Sequence, residues 1–332
     1  LKRLSVPIAA AVILIVGFIG FSSLNFPTGG AAEGLFTLKT GDGAKKVASN
    51  LQRSGYIRSR VFFFALVRMS GKDRSLKSGE YRLDGSMSTI DVLKVLGKGV
   101  VVTERFTVPE GLNLRQVADL LESEGLITAE AFLRASSDKK LIEKYGLPFE
   151  TAEGFLYPET YVVAKGYSAY QLADLMVAKF FDILADINFT GYSKEDLGKV
   201  VTIASLVERE AKLDEERPLV SAVFYNRLRA GKRLESCATV QYALEKPKER
   251  LLYSDLKVQS PYNTYLHKGL PPGPIANPGI KSIIASVRPA AVNYLFFVSK
   301  TDGSHFFSAS YDEHLRAIKR YNPSGRVAHQ LS

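Results

Sequence analysis

The hydrophobic pattern divides the chain into three regimes. Residues 4–24 form a nearly unbroken apolar run, and no charged residue lies between Arg3 and Glu33. A stretch of that length without a polar face suits a helix crossing a bilayer core about 30 Å thick. Lys2 and Arg3 precede it, so the positive-inside bias predicts a cytoplasmic N-terminus and export of everything after Pro27. A cleaved signal peptide is the alternative. Its apolar region would be shorter, and Gly29-Gly30-Ala31-Ala32 offers only a faint cleavage site.

The second regime is amphipathic and duplicated. Gly41, Val47, Ala48, Leu51, Gly55, Ile57 and Phe62 recur 70 positions later as Gly111, Val117, Ala118, Leu121, Gly125, Ile127 and Phe132. In each copy a strand-like run (residues 35–38 and 105–108) turns into a helix with apolar spacing i, i+1, i+4 that a glycine stops. Phe62 or Phe132 opens a second helix. Every matching residue is Gly or apolar, which specifies a core. Between the copies, residues 78–83 alternate like a strand, residues 91–96 suit a short helix, and residues 97–100 read as a connector.

In the third regime residues 203–210 read IASLVERE, inside a helix predicted over 201–211. Ile203, Leu206, Val207 and Glu210 share one face, and Glu208 lies roughly opposite Glu210 because two residues advance about 200°. A glutamate continuing an apolar stripe is costly to ionise, so its pKa rises and it can hold a proton near neutral pH. Glu210 is the first choice for such an acid. Glu208 follows, since a cleft could use the other face, and the ordinary alternative for both is a solvated helix surface. Pro218 suits the first turn of the next helix, which buries Val220, Val223, Phe224 and Leu228 and carries Asn226 and Arg227 on its polar side. Residues 294–298 and 305–308 read as a hairpin and residues 312–321 as a closing helix, with His305 at a strand edge.

Composition narrows the chemistry. The 332 residues are 46% hydrophobic and 23% charged, ordinary globular values with room for two or three domains. A net charge of +10 favours an acidic partner, but the basic residues are dispersed and carry no nucleic-acid-binding signature. Cys237 is the sole cysteine, which excludes an intrachain disulfide, and the four histidines show no zinc-ligand spacing. A loop dense in Pro, Gly, Asn and Tyr, SPYNTYLHKGLPPGPIANPG at residues 260–279, supplies rigid backbone, aromatic faces and amides. One carboxyl group at the end of a buried helix, facing such a loop, suggests acid catalysis on a sugar chain.

IASLVERE, SAVFYNRL at residues 221–228 and the 260–279 loop, in this order, resemble the YceG-like endolytic murein transglycosylase family. The segment EGFLYPETY at residues 153–161 resembles that family's entry into its catalytic domain, although Phe155 and Tyr161 also suit simple packing of a junction. The resemblance implies an α+β protein with an N-terminal transmembrane helix, a LysM-like α/β module and a mixed α+β catalytic domain. The expected division is residues 1–27 (anchor), 35–100 (first repeat with its extension), 101–150 (second repeat) and 151–325 (catalytic domain). It implies endolytic cleavage of nascent peptidoglycan strands at the bacterial cytoplasmic membrane, leaving 1,6-anhydro ends, without cofactor or metal. Peptidoglycan, the membrane and cell-wall synthesis proteins would be the partners, and nucleic acid would not. Glu210 or Glu208 would be the acid, with Asn226, Thr239, Gln241, Tyr262, Asn263 and Tyr265 contacting substrate. One departure stands out: the family commonly carries Asp-Pro where this chain has Cys237-Ala238. No His or Asn neighbours Cys237 in a nucleophile pattern, so no catalytic role is assigned to it. An anchored wall-binding scaffold and a muramidase using water remain the alternatives.

Overall fold

The structure, a computed structural model, describes residues 5–39, 41–71, 76, 78–98, 102–244, 248, 251–300 and 302–321, with side chains from residue 15 onward. The chain forms two compact units, residues 1–105 with 162–167 and residues 106–161 with 168–332.

The first unit opens with helix α1 (Ser5–Asn25). Strand β1 (Gly34–Leu38), helices α2 (Ala44–Arg53) and α3 (Arg60–Met69), strand β2 (Gly79–Leu83) and helix α4 (Thr89–Lys98) follow. β1 and β2 pair antiparallel, with Phe36 opposite Tyr81. Their alternation turns Phe36, Leu38, Tyr81 and Leu83 onto one face, where they close over Leu51, Phe63, Val67 and Leu96. The end of α1 joins this unit: Thr89 donates to the Leu24 carbonyl at 3.0 Å, and Asn25 Oδ1 accepts from Ile90 N at 3.0 Å. Among the described residues no helix is long and apolar enough to cross a membrane. Residues 1–4 and the side chains of 5–14, on which the anchor expectation rests, lie outside those described, as do residues 99–101 at the expected connector and 322–325 at the expected domain end.

The chain passes between the units within β3 (Thr103–Thr107), which shares a two-stranded sheet with a later strand. Helices α5 (Leu114–Ser123), α6 (Ala129–Ser136) and α7 (Lys139–Tyr145) come next, then that partner strand, β4 (Thr160–Ala164), and helix α8 (Ala169–Asp186). α5 starts on a full capping box, with Asn113 accepting from Gln116 N at 2.8 Å and Gln116 Oε1 accepting from Asn113 N at 3.0 Å.

Helix α9 (Lys194–Glu210) runs through the middle of the second unit, buried almost continuously from Val200 to Val207. It is covered by α10 (Arg217–Arg229) and α12 (Ile280–Val287), with α11 (Cys237–Ala243) near its C-terminal end. Ile203, Leu206 and Val207 pack with Val223, Phe224, Ile275 and Phe297. Leu228 is half-buried at the edge of this cluster. The antiparallel hairpin β5 (Phe296–Ser299) and β6 (His305–Ser308) and helix α13 (Tyr311–Tyr321) complete the fold, which is mixed α+β.

Candidate active site

α9 ends where its apolar stripe ends. Glu210, the last residue of the helix, is 4% exposed although its neighbour Arg209 faces out. Glu210 Oε1 accepts a short hydrogen bond from the Ser236 hydroxyl, and Ala238 N lies 3.5 Å from the same oxygen. Burial raises the carboxyl above the usual range, and the bonds from Ser236 and Ala238 offset this only in part. A buried carboxyl with a raised pKa at this position is what the helix phase predicts.

Glu208 has a different environment. Its Oε1 lies 3.2 Å from Arg217 Nη1, and its Oε2 accepts from Gly279 N at 3.0 Å. Arg217 also reaches Asp214 at 3.1 Å and donates to Ser282. Glu208 therefore ties the end of α9 to the starts of α10 and α12 as a paired carboxylate. A Cβ at Gly279 would fall 1.9 Å from Glu110 Oε1, so any larger residue there would have to displace the Glu110 carboxyl. Burial and the charge of Glu208 raise the Glu110 carboxyl.

The loop facing Glu210 is locked from inside. Asn277, fully buried, donates to the Leu112 carbonyl at 2.9 Å through its amide, and its Oδ1 accepts from Leu156 N at 2.9 Å. Gly154, with φ +85°, packs against it, and a Cβ there would lie 2.5 Å from Pro274 Cβ. Ser205 on α9 accepts from Ile275 N at 3.0 Å. Residues 111–112, 154–156 and 274–277 are thus held against α9.

The polar residues expected to contact substrate divide into two groups. Asn226 sends its amide to the Val292 and Tyr294 carbonyls, both at 2.8 Å, tying α10 to the hairpin. Arg227 pairs with Glu235, not with either α9 glutamate, and donates to the Arg233 and Leu295 carbonyls. Asn263 is fully buried and donates to the Leu256 and Val258 carbonyls at 2.9 and 2.8 Å. Thr239 is fully buried, bonding the Ser236 carbonyl at 2.7 Å and Thr264 at 2.9 Å. These side chains hold the backbone around Glu210. Tyr265 places its hydroxyl 3.2 Å from Cys237 Sγ. Burial pushes the Cys237 thiol up to about 12, so it is a poor nucleophile.

Gln241 stands nearer open space, although its amide also bonds the Lys248 carbonyl at 2.6 Å and N–H at 2.9 Å. A cavity of about 260 Å³ is lined by Gly111, Asn113, Arg209, Ala238, Gln241 and Tyr242, among others. Ala238, whose N–H approaches Glu210, forms part of its wall. A second cavity of about 470 Å³ shares Asn113, Gln116, Gln241 and Tyr242 with the first and adds Glu153 and Arg115. The two make one groove between α5 and α11. Tyr262 backs it, its ring 4.7 Å from that of Tyr242. Reading the sequence did not assign Asn113, Gln116, Glu153 or Tyr242 to a site. The capping pattern N-x-x-Q at Asn113 and Gln116 is a local helix-start signal, but only the tertiary fold sets that start beside α11. Among the described residues no three His, Cys, Asp or Glu side chains are placed to hold a metal ion.

A buried carboxyl with a raised pKa beside a polar and aromatic groove, on an α+β scaffold, suits acid catalysis. The chain belongs to the YceG-like family, whose sequence profile matches residues 36–320. Among curated proteins it resembles the endolytic murein transglycosylase of Bacillus subtilis, at 30% identity over 86% of this chain and 83% of that protein. The endolytic murein transglycosylase of Streptococcus pneumoniae is 31% identical over 85% of this chain and 57% of that protein. A crystal structure of a yceG-like protein from Listeria monocytogenes aligns with a TM-score of 0.56 at 30% identity, covering 86% of this chain and 99% of that one.

Proposed function

We propose that the protein is a lytic transglycosylase that cuts peptidoglycan strands internally, with Glu210 as its acid. Burial of Glu210, its carboxyl pKa raised by desolvation, against Ala238 of the groove wall is the observation that carries this reading. Glu210 gives its proton to the glycosidic oxygen between N-acetylmuramic acid and N-acetylglucosamine as the C1–O bond breaks. The resulting carboxylate takes the proton of the muramyl C6 hydroxyl while that oxygen bonds to C1. The products are a new N-acetylglucosamine 4-hydroxyl and a 1,6-anhydro end, and Glu210 is again protonated. One carboxyl serves as acid and then as base, so no second catalytic carboxylate is needed, unlike in most glycoside hydrolases.

The same reading takes residues 4–24 as a membrane anchor holding the catalytic unit on the outer face of the cytoplasmic membrane, close to nascent strands and the proteins that make them. The strand–helix–helix–strand order of β1, α2, α3 and β2 supports a LysM-like module. The expected domain division and the groove contacts of Gln241, Tyr262 and Tyr265 belong to this proposal. Mass spectrometry of sacculi digested with the protein tests it. Anhydro-muropeptides are expected from the wild type and not from Glu210→Gln. Reducing ends would mark a water-using hydrolase, and intact strands a binding scaffold.

A further inference from the structure

Glu153 is a buried carboxyl that the proposed reaction does not use. It is 6% exposed, yet it forms part of the larger cavity's wall. Leu114 N, the first amide of α5, donates to Oε1 at 2.9 Å and to Oε2 at 3.0 Å. The Tyr242 hydroxyl on α11 donates to Oε2 at 3.1 Å. One carboxylate therefore joins the two helices that bound the groove. Its own segment packs closely, since a Cβ added at Gly154 would lie 2.5 Å from Pro274 and 2.9 Å from Val201.

We propose that Glu153 is a positioning residue for glycan binding, its carboxylate fixing the Tyr242 ring and the first turn of α5 as one wall of the groove. The inference rests on the glycan-cleaving reading above. An ionised carboxylate accepts both bonds at once. A protonated one keeps a single strong acceptor oxygen, so its hold on the Leu114 N–H and the Tyr242 hydroxyl together weakens. The Tyr242 ring, which lines the groove and packs on Tyr262 at 4.7 Å, is then held less firmly. Burial pushes the Glu153 carboxyl up to about 7, so both forms are populated near neutral pH. Facing it are Tyr242 from α11, Tyr262 from the following loop, and Arg115 and Asp119 from α5 across the cavity. The two bonding partners are neutral, so proton uptake is set by desolvation against these hydrogen bonds.

Steady-state cleavage of soluble glycan strands between about pH 6 and about pH 8 tests this. The wild-type KM is expected to rise up to about tenfold as pH falls, following the carboxylate fraction of a group titrating near 7. Glu153→Gln should have a raised KM that no longer changes with pH, and kcat within about threefold of wild type. Glu153→Asp should restore part of the slope, and Tyr242→Phe should flatten it with Glu153 intact. A wild-type KM–pH slope retained in Glu153→Gln, or a fall in kcat at constant KM, overturns the proposal. If Glu153→Gln fails to fold, Tyr242→Phe decides by the same slope. If the wild type makes no anhydro ends, the functional reading fails first. Retention of strands by Glu210→Gln protein, with and without Tyr242→Phe, across the same pH range then decides the role of Glu153 without turnover.

Discussion

The two copies of the duplicated module share a core and differ at the ends of their helices. Val47, Ala48 and Leu51 in α2 are as buried as Val117, Ala118 and Leu121 in α5. Gly55 and Gly125 leave those helices with φ of +78° and +72°, a conformation that favours glycine. At the helix starts the likeness stops. α2 begins at Gly43 with no side-chain cap, and Lys46 pairs with Asp42 on the surface at 2.7 Å. α5 begins on Asn113 and Gln116, both in the groove wall, with Glu153 bonded to its first amide. The apolar repeat specifies only a scaffold. The polar groove residues of the second copy stand at positions that the shared core does not constrain.

The largest expected effect breaks the comparison at the acid that the second copy's groove leads to. Glu210→Gln should lower the rate of anhydro-product formation by about two to four orders of magnitude with folding retained, the usual range for losing a general acid. Glu208→Gln should cost far less activity but should lower the denaturation midpoint, because it leaves the nearly buried Arg217 short of a partner. The reverse order would mean that the helix phase misidentifies the acid. Next come matched core truncations. Leu51→Ala and Leu121→Ala should each cost about 2–5 kcal/mol of stability in the unit that holds them. Only Leu121→Ala should also reduce cleavage at temperatures where both proteins stay folded. Equal loss of activity in both would remove the functional asymmetry between the copies.

A third test concerns pH. The folded-state pKa of Glu153 is raised from 4.5 to about 7, so the folded protein binds its proton more tightly than the unfolded chain does. Its contribution to stability is therefore greatest below about 4.5, falls as pH rises to about 7 and is flat above, a change of about 3 kcal/mol. Chemical denaturation of wild type and Glu153→Gln across that range isolates this contribution, and the variant should lack it. Parallel curves would show that Glu153 stays ionised throughout.

What could be read in the sequence follows from how local each signal is. The α9 stripe and Glu210 were legible because helical phase alone decides which side of a buried helix a residue takes. The pairing of Glu208 with Arg217 was not, since it depends on the turn at residues 211–216 folding back. Asn226, Thr239 and Asn263 suited sugar contacts as residue types, yet their side chains are spent on carbonyls and hydroxyls of neighbouring segments. Rigid, amide-rich loops use many of their amides to be rigid. Glu153 was visible within EGFLYPETY, but its place on the groove arises from α5 and α11, far from it in the chain.

The smallest effect sharpens the comparison most directly. Gly43 has φ −71° and ψ 155°, close to the φ −84° and ψ 169° of Asn113, and a Cβ there would meet nothing within 4 Å. Gly43→Asn should therefore adopt the cap geometry of the second copy without strain. It should stabilise the first unit by a few tenths of a kcal/mol, up to about 1 kcal/mol, through the new cap and a less mobile unfolded chain. Cleavage should be unchanged. Asn113→Gly makes the opposite exchange, and its stability loss should be about as small. Because Asn113 lines both cavities and fixes the turn whose first amide bonds Glu153, KM should rise in that variant. Denaturant midpoints and cleavage kinetics on the two proteins separate these outcomes. If Asn113→Gly changes stability alone, the caps are structural in both copies, and the groove owes nothing to the second copy's helix start.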